Sequence, residues 1–236
     1  MPRMARQVVA GVPLHVTQRG NRGQLVFFDD SDRLFYIALL RHYTRQHDIE
    51  VLAYCLMSNH VHLVLVPGAK ESLQRALKPM HSRYAQRIHR ARDWRGHLWQ
   101  GRFFSSMLDE PYLWAAIRYV ERNPVRARMI GRAEDYPWSS ARTRCGLGDD
   151  PLIRRESAWA RHLATVGNWS RWLAMGENSS QLEALRQNAN QGLPCGSPEF
   201  LARLEAATGR CLRPGLNGRP RKDASKAPRT IITASP

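Results

Sequence analysis

The chain is short of lysine, of acid, of paired cysteine and of any long apolar run. Against 36 Lys+Arg it sets only 20 Asp+Glu, for a formal net charge of +16. Such a field argues against cationic partners and favours polyanions, meaning nucleic acid or an anionic membrane surface. Only 4 of the cations are lysine and 32 are arginine. The arginine fork matches phosphate and base edges, which points to nucleic acid. A GC-rich genome also raises arginine over lysine, but it does not account for the net charge. The cysteines (Cys55, Cys145, Cys195, Cys211) form no C-x-x-C pair and have no histidine-rich partner spacing. That spacing argues against a zinc finger and a disulfide framework, and predicts reduced thiols in a cytoplasm. The apolar run Val8 to Val16 is short and broken by Gly11 and Pro13, and nothing later approaches the ~20 apolar residues of a membrane span. Membrane is therefore excluded as a partner.

A length of 236 residues allows one substantial domain plus an appendage. Leu14 to Arg19 reads as a strand, followed by turn chemistry at Gly20, Asn21 and Gly23. Apolar residues at Leu34, Phe35, Leu39, Leu40 and Tyr43 give Asp32 to Gln46 a helical period. Glu50 to Val66 holds two β-rich runs broken near Met57 to Asn59. The stripe Leu73, Leu77, Met80, Tyr84 and Ile88 predicts an amphipathic helix over Glu71 to Arg92. Asp109 is a good N-cap for another, with Pro111 in its first turn and a stop near Asn123 imposed by Pro124. The order predicts an α+β domain, an antiparallel sheet with helices on one face. Its expected span is residues 1–145, followed by a helical extension over 146–212 with Glu199 to Thr208 as its clearest helix. Residues 213–236, rich in Gly, Pro, Ser, Lys and Arg, are predicted to form a disordered basic tail.

The most specific stretch is Met57-Ser58-Asn59-His60-Val61-His62-Leu63-Val64-Leu65. On a strand, His60 and His62 project from one face while Val61, Leu63 and Leu65 take the other. Two imidazoles so placed can reach one divalent ion and leave positions open for water and phosphate oxygens. In Tyr112-Leu113-Trp114-Ala115-Ala116-Ile117-Arg118-Tyr119-Val120-Glu121-Arg122-Asn123, Tyr119 and Asn123 are four apart and hence neighbours on one helical face. A phenol needs an activated phosphodiester to act as a nucleophile, and a neighbouring metal supplies that activation. The Asn123 carbonyl oxygen is a hard donor that could complete the site. Alternatively, Tyr119 packs on the sheet and Asn123 merely ends the helix.

These residues resemble a family. His60-Val61-His62, Trp99-Gln100-Gly101-Arg102-Phe103, Tyr119-Val120-Glu121-Arg122-Asn123-Pro124-Val125-Arg126-Ala127 and Asp135-Tyr136-Pro137-Trp138-Ser139-Ser140 are similar, in order, to segments of the REP-associated tyrosine transposases. Those are single-tyrosine members of the HUH (histidine, hydrophobic, histidine) single-strand endonucleases. The resemblance runs from about Leu14 to Ser140, more weakly into Gly196 to Gly209. It implies a ferredoxin-like sheet as the HUH core, with His60, His62 and Asn123 as ligands of Mg²⁺ or Mn²⁺. It implies Tyr119 as the nucleophile that joins the 5′-phosphate of single-stranded DNA and frees a 3′-hydroxyl. Another 3′-hydroxyl then reseals the break, which gives strand transfer. The implied substrate is hairpin DNA of the repetitive extragenic palindrome (REP) kind, in a bacterial, nucleoid-associated cytoplasmic setting, with no small-molecule cofactor. One departure is Ser58, where the relatives carry proline; it lies beside the ligands and is not one.

From Arg75 to Arg102 the cations Arg75, Lys78, Arg83, Arg87, Arg90, Arg92, Arg95 and Arg102 face a single acid, Asp93. Trp94, Trp99, Phe103 and Phe104 are interleaved with or follow them. Arginine with aromatics suits single-stranded DNA, through phosphate neutralisation and base stacking. Arg19, Arg75, Arg83, Arg87, Arg102 and Trp99 are therefore expected contacts. Arg219 and Arg221 in the tail are similar to an AT-hook core, with Asn217 where that motif opens on arginine; a generic basic tail fits equally. Two other readings use the same charge. One is a non-catalytic DNA-binding regulator. The other is a relaxase or rolling-circle initiator, disfavoured because neither a third histidine in the motif nor an N-terminal tyrosine is present. The sequence leaves the oligomeric state open.

Overall fold

The computed structural model describes residues 6–212; the expected disordered tail, with Arg219 and Arg221, lies outside the described residues. The chain opens with β1 (Leu14–Arg19), α1 (Asp30–Gln46), β2 (Ile49–Met57), β3 (His60–Pro67), α2 (Ser72–Arg92) and β4 (Phe104–Met107). The sheet order is β2-β3-β1-β4, and every neighbouring pair is antiparallel. This is the βαββαβ, ferredoxin-like arrangement that the sequence implied. The two-residue break at Ser58 and Asn59 makes β2 and β3 a hairpin, with Met57 opposite His60.

Leu14 and Val16 of β1 and Val61, Leu63 and Leu65 of β3 share one core with Tyr36 and Leu40 of α1 and Leu73, Leu77 and Tyr84 of α2. The expected placement of helices on one face describes α1 and α2, and needs a correction. The opposite face is covered by α3 (Glu110–Glu121), where Val64, Val66, Ala53 and Cys55 meet Leu113, Ala116, Ile117 and Val120 in a second core. The physical reason is legible in β3: a strand apolar at both 63/65 and 64/66 needs cover on both faces. His60 and His62 interrupt that second face.

Asp109 caps α3 as expected, its Oδ1 accepting from the Tyr112 N–H at 3.0 Å. Helix α3 ends at Glu121, and the chain resumes at Asn123 as α4 (Asn123–Arg126), where Pro124 occupies a first-turn position that needs no N–H. Then come α5 (Ala141–Arg144), α6 (Ala158–Leu163), α7 (Trp169–Ala174), α8 (Ser179–Gln191) and α9 (Pro198–Thr208). Residues 146–212 are built into the sheet domain. Leu163, Trp169, Leu173 and Leu185 join the core of the second face, and Phe200, Leu204 and Leu212 join that of the first. Backbone bridges tie Val51 to Ile153 and Leu108 to Cys195, and Ser106 Oγ donates to the Leu193 carbonyl at 2.5 Å.

Candidate active site

A cleft of about 550 Å³ opens over the histidine face near the β2–β3 hairpin. Its walls come from four places in the chain: His15, Thr17 and Arg19 of β1, His60 and His62 of β3, Tyr119 of α3, and Arg186, Ala189 and Asn190 of α8. Gln18, Gln100 and Phe104 complete the lining. The register puts Thr17 opposite His62 and Arg19 opposite His60, so β1 lines the floor beside the two imidazoles.

Each histidine is held by its Nδ1. His60 Nδ1 lies 2.6 Å from Asn59 Oδ1, whose amide is oriented because its Nδ2 donates to the Gly23 carbonyl at 3.1 Å. His62 Nδ1 lies 3.0 Å from His15 Nε2. The hairpin turn is pinned in its turn, since the Ser58 carbonyl accepts from Val26 and Phe27 and the Asn59 carbonyl from Gly20. Gly20 has to be glycine here: a Cβ would stand 2.2 Å from the Gln24 carbonyl oxygen. Burial, followed by the charges of Arg19 and Arg126, lowers the His60 pKa to about 4. Burial, followed by the neighbouring His15 and His60, holds His62 well below its ordinary value. Both rings are thus neutral at pH 7, the form in which an imidazole nitrogen offers its lone pair to a metal.

The Tyr119 ring stands edge-on to His62, with centroids 5.3 Å apart and planes at 87°. The Arg126 guanidinium lies 4.1 Å from the Tyr119 ring centroid and that of Arg186 5.7 Å. Tyr119 therefore faces the histidines with two cations beside it. Tyr112, the other tyrosine of the helix, is partly exposed and lines no part of the cleft. Asn123 is buried as the first residue of α4, its Nδ2 without a hydrogen-bond partner, and it is not among the residues lining the cleft. Among the described residues no three His, Cys, Asp or Glu side chains form a metal-binding group.

The expected DNA contacts separate. Arg19 is exposed in the cleft. Arg75 and Arg83 are exposed on α2, and Arg102 lines a second cleft of about 540 Å³ with Lys78, His89 and Phe103. Arg87 is turned to α1, 3.9 Å from an Asp32 carboxylate oxygen and 4.6 Å from the Phe35 ring centroid. Trp99 is a correction. It is largely buried among Tyr36, His81 and Tyr84, its indole N–H donates to the His81 carbonyl at 3.0 Å, and only an edge of it reaches the second cleft, so its main role is in the core. The sequence reading missed His15, Arg126, Arg186 and Asn190. A signal existed for His15, a histidine in phase with Thr17 on an apolar strand, and for the i, i+4 pair Arg186 and Asn190.

The Asp135 to Ser140 segment is structural. The Tyr136 hydroxyl donates to the Leu56 carbonyl at 2.8 Å, and Ser140 Oγ accepts from the Tyr54 N–H at 3.0 Å. Ser140 Oγ also donates to the buried Glu121 carboxylate at 2.5 Å, and so joins this segment to the helix that carries Tyr119.

The chain thus joins a ferredoxin-like sheet, two imidazoles on a central strand, a helix-borne tyrosine facing them and a strongly basic composition. Residues 9–123 match the family model described as transposase IS200 like. A REP-associated tyrosine transposase solved bound to a REP hairpin is similar in fold, with a TM-score of 0.52 and 16% identity, covering 67% of this chain and all of that one. A candidate transposase from Deinococcus radiodurans R1 aligns at 19% identity over 54% of this chain and 92% of its own, with a TM-score of 0.36. No curated protein matches. Among the described residues, no helix is long and apolar enough to cross a membrane.

Proposed function

We propose that this protein is a metal-dependent single-stranded DNA endonuclease and strand transferase acting on hairpin-bearing DNA of the REP kind. The observation that carries the reading is the meeting of Tyr119 with His60 and His62 across one cleft, both imidazoles held through Nδ1. The donor set fits a hard divalent ion such as Mg²⁺ or Mn²⁺. His60 and His62 would hold it, with the Asn123 carbonyl oxygen as third ligand, and such an ion supplies Lewis-acid polarisation of the scissile phosphate.

The rest falls to the chain's own residues. The Tyr119 oxygen attacks phosphorus, a bond forms between them, and the bond to the 3′-oxygen breaks. The phenolic proton is lost, and the departing 3′-oxygen gains one to become a hydroxyl. Arg126 and Arg186 offset negative charge beside the ring as the phenol reacts. Attack by a different 3′-hydroxyl on the 5′-phosphotyrosine reverses the step and transfers the strand. Arg19 at the cleft, and Arg75, Arg83 and Arg102 around α2, hold the phosphates.

The test is incubation with hairpin-bearing single strands and Mg²⁺, followed by denaturing separation. The wild type is expected to form a covalent protein–DNA adduct, lost in EDTA and in His60→Ala. Tyr119→Phe is expected to form none while keeping hairpin affinity within a few-fold, and Tyr112→Phe to remain active. Absence of adduct from the wild type would leave a non-catalytic DNA-binding regulator as the better reading. Undiminished cutting in EDTA would remove the metal from the mechanism.

A further inference from the structure

We propose that His15 is a positioning residue for His62, fixing the imidazole tautomer in which His62 presents a lone pair to the cleft. The inference rests on the metal-dependent reading above and assigns a role to a residue that no motif marked. In the register, His62 lies opposite Thr17, so His15 is its diagonal neighbour on the adjacent strand. Diagonal neighbours have Cα atoms about 7–8 Å apart, a gap that two imidazoles can bridge end to end. They do so here, His15 Nε2 to His62 Nδ1, at 3.0 Å.

The ring geometry distinguishes a hydrogen bond from shared metal ligation. The planes are within 16° of parallel while the centroids are 5.2 Å apart. With nitrogens at 3.0 Å, that separation places the rings edge to edge, each nitrogen directed at the other. Two ligands of one ion would instead aim their lone pairs at a common point to one side. His15 is therefore not a third ligand, and the N–H···N contact is a hydrogen bond with one proton between the two nitrogens.

Only one assignment of that proton suits a metal. If His62 donates through Nδ1, its Nε2 carries the free lone pair, and His15 accepts through Nε2. If His15 donates, His62 carries its hydrogen on Nε2 and cannot ligate. Under either assignment His15 Nδ1 is buried without a partner, carrying a hydrogen in the first and a lone pair in the second. An unsatisfied buried polar atom is a cost that an apolar side chain would avoid, so its presence calls for an explanation. Acceptance from His62 supplies one. Metal-ligating histidines commonly donate their second N–H to an acceptor that orients the ring and raises its basicity. Asn59 meets His60 Nδ1 in the same way.

The experiment titrates Mn²⁺ calorimetrically into the DNA-free full-length protein, comparing wild type, His15→Leu, His15→Gln and His60→Ala. Leucine removes the acceptor, whereas the glutamine Oε1 replaces Nε2. His15→Leu is expected to weaken Mn²⁺ binding about 10–100-fold, and His15→Gln to recover most of that loss. Wild-type affinity in His15→Leu, or glutamine no better than leucine, overturns the proposal. Full Mn²⁺ binding by His60→Ala, or none by the wild type, overturns the metal site itself, which separates the two failures. Thermal unfolding checks that each variant is folded. Should His15→Leu not fold, imidazole nitrogen NMR of the wild type in Mg²⁺ decides. A hydrogen on His62 Nδ1 is expected, and one on His62 Nε2 refutes the assignment.

Discussion

Removing the Glu121 carboxylate is expected to be among the most damaging single changes in this protein, although it touches no residue of the cleft. Glu121 has no solvent exposure and sits two residues after Tyr119, at the end of α3. Its Oε1 accepts from Ser140 Oγ at 2.5 Å and its Oε2 from Trp169 Nε1 at 2.6 Å. The Arg144 guanidinium, itself 11% exposed, lies 3.7 Å away. One carboxylate thus gathers α3, the Asp135 to Ser140 segment and α7. Burial pushes its pKa up, while Arg144, Ser140 and Trp169 pull it back. Glu121→Ala strands two donors and leaves a buried cation without its partner. Hydrogen bonds to a charged group contribute ~1.5–3 kcal/mol each, and breaking a buried ion pair costs ~3–5 kcal/mol. These overlap, so the expected loss of unfolding free energy is about 3–5 kcal/mol in all. Glu121→Gln keeps the shape and one carbonyl oxygen but presents its NH₂ to a donor, and is expected to lose about 1–3 kcal/mol. Urea unfolding followed by tryptophan fluorescence measures both, with Trp169 a built-in reporter. A loss under about 1 kcal/mol for Glu121→Ala would refute the reasoning.

Trp99→Ala is expected to destabilise the fold by about 3–5 kcal/mol, as large aromatic truncations in cores do, and a variant that unfolds like the wild type but loses only DNA affinity would restore the stacking reading. His81 gives a pH test. Its ring is buried against the Tyr36 hydroxyl at 3.0 Å, and burial, followed by the Arg6 charge, lowers its pKa to about 3. Because the folded value is depressed, the unfolded chain binds the proton first, so the stabilising contribution is complete above about pH 6.5 and is lost as pH falls toward 3. Between pH 6 and 4, His81→Gln is expected to flatten the stability slope by ~1.4 kcal/mol per pH unit, and an unchanged slope counts against a neutral His81. Truncation after Leu212 removes Arg213, Arg219, Arg221, Lys222, Lys226 and Arg229. If these tether phosphates, the salt dependence of single-strand binding flattens by about 0.7 per lost contact while cleavage at saturating DNA persists; an identical salt slope disposes of the tether.

What the sequence determined by itself is what repeats over a few residues or is carried by chemical identity. Alternation placed His60 and His62 on one face of a strand, Asp109 announced the start of α3, and Pro124 its end. The arginine excess pointed to a polyanion, and four ordered motifs pointed to a resemblance with the tyrosine transposases. Tertiary structure alone decided which distant residues meet those. His15 reaches His62 from 47 residues away because register makes them diagonal neighbours. Arg186 and Asn190 join the cleft because α8 packs on β4 and α3. Trp99 sits in a cationic, aromatic stretch that reads as a DNA surface, yet the packing of α1 and α2 buries it. Periodicity reports the face a side chain takes relative to its own backbone; what covers that face depends on segments far along the chain, and only their packing fixes it.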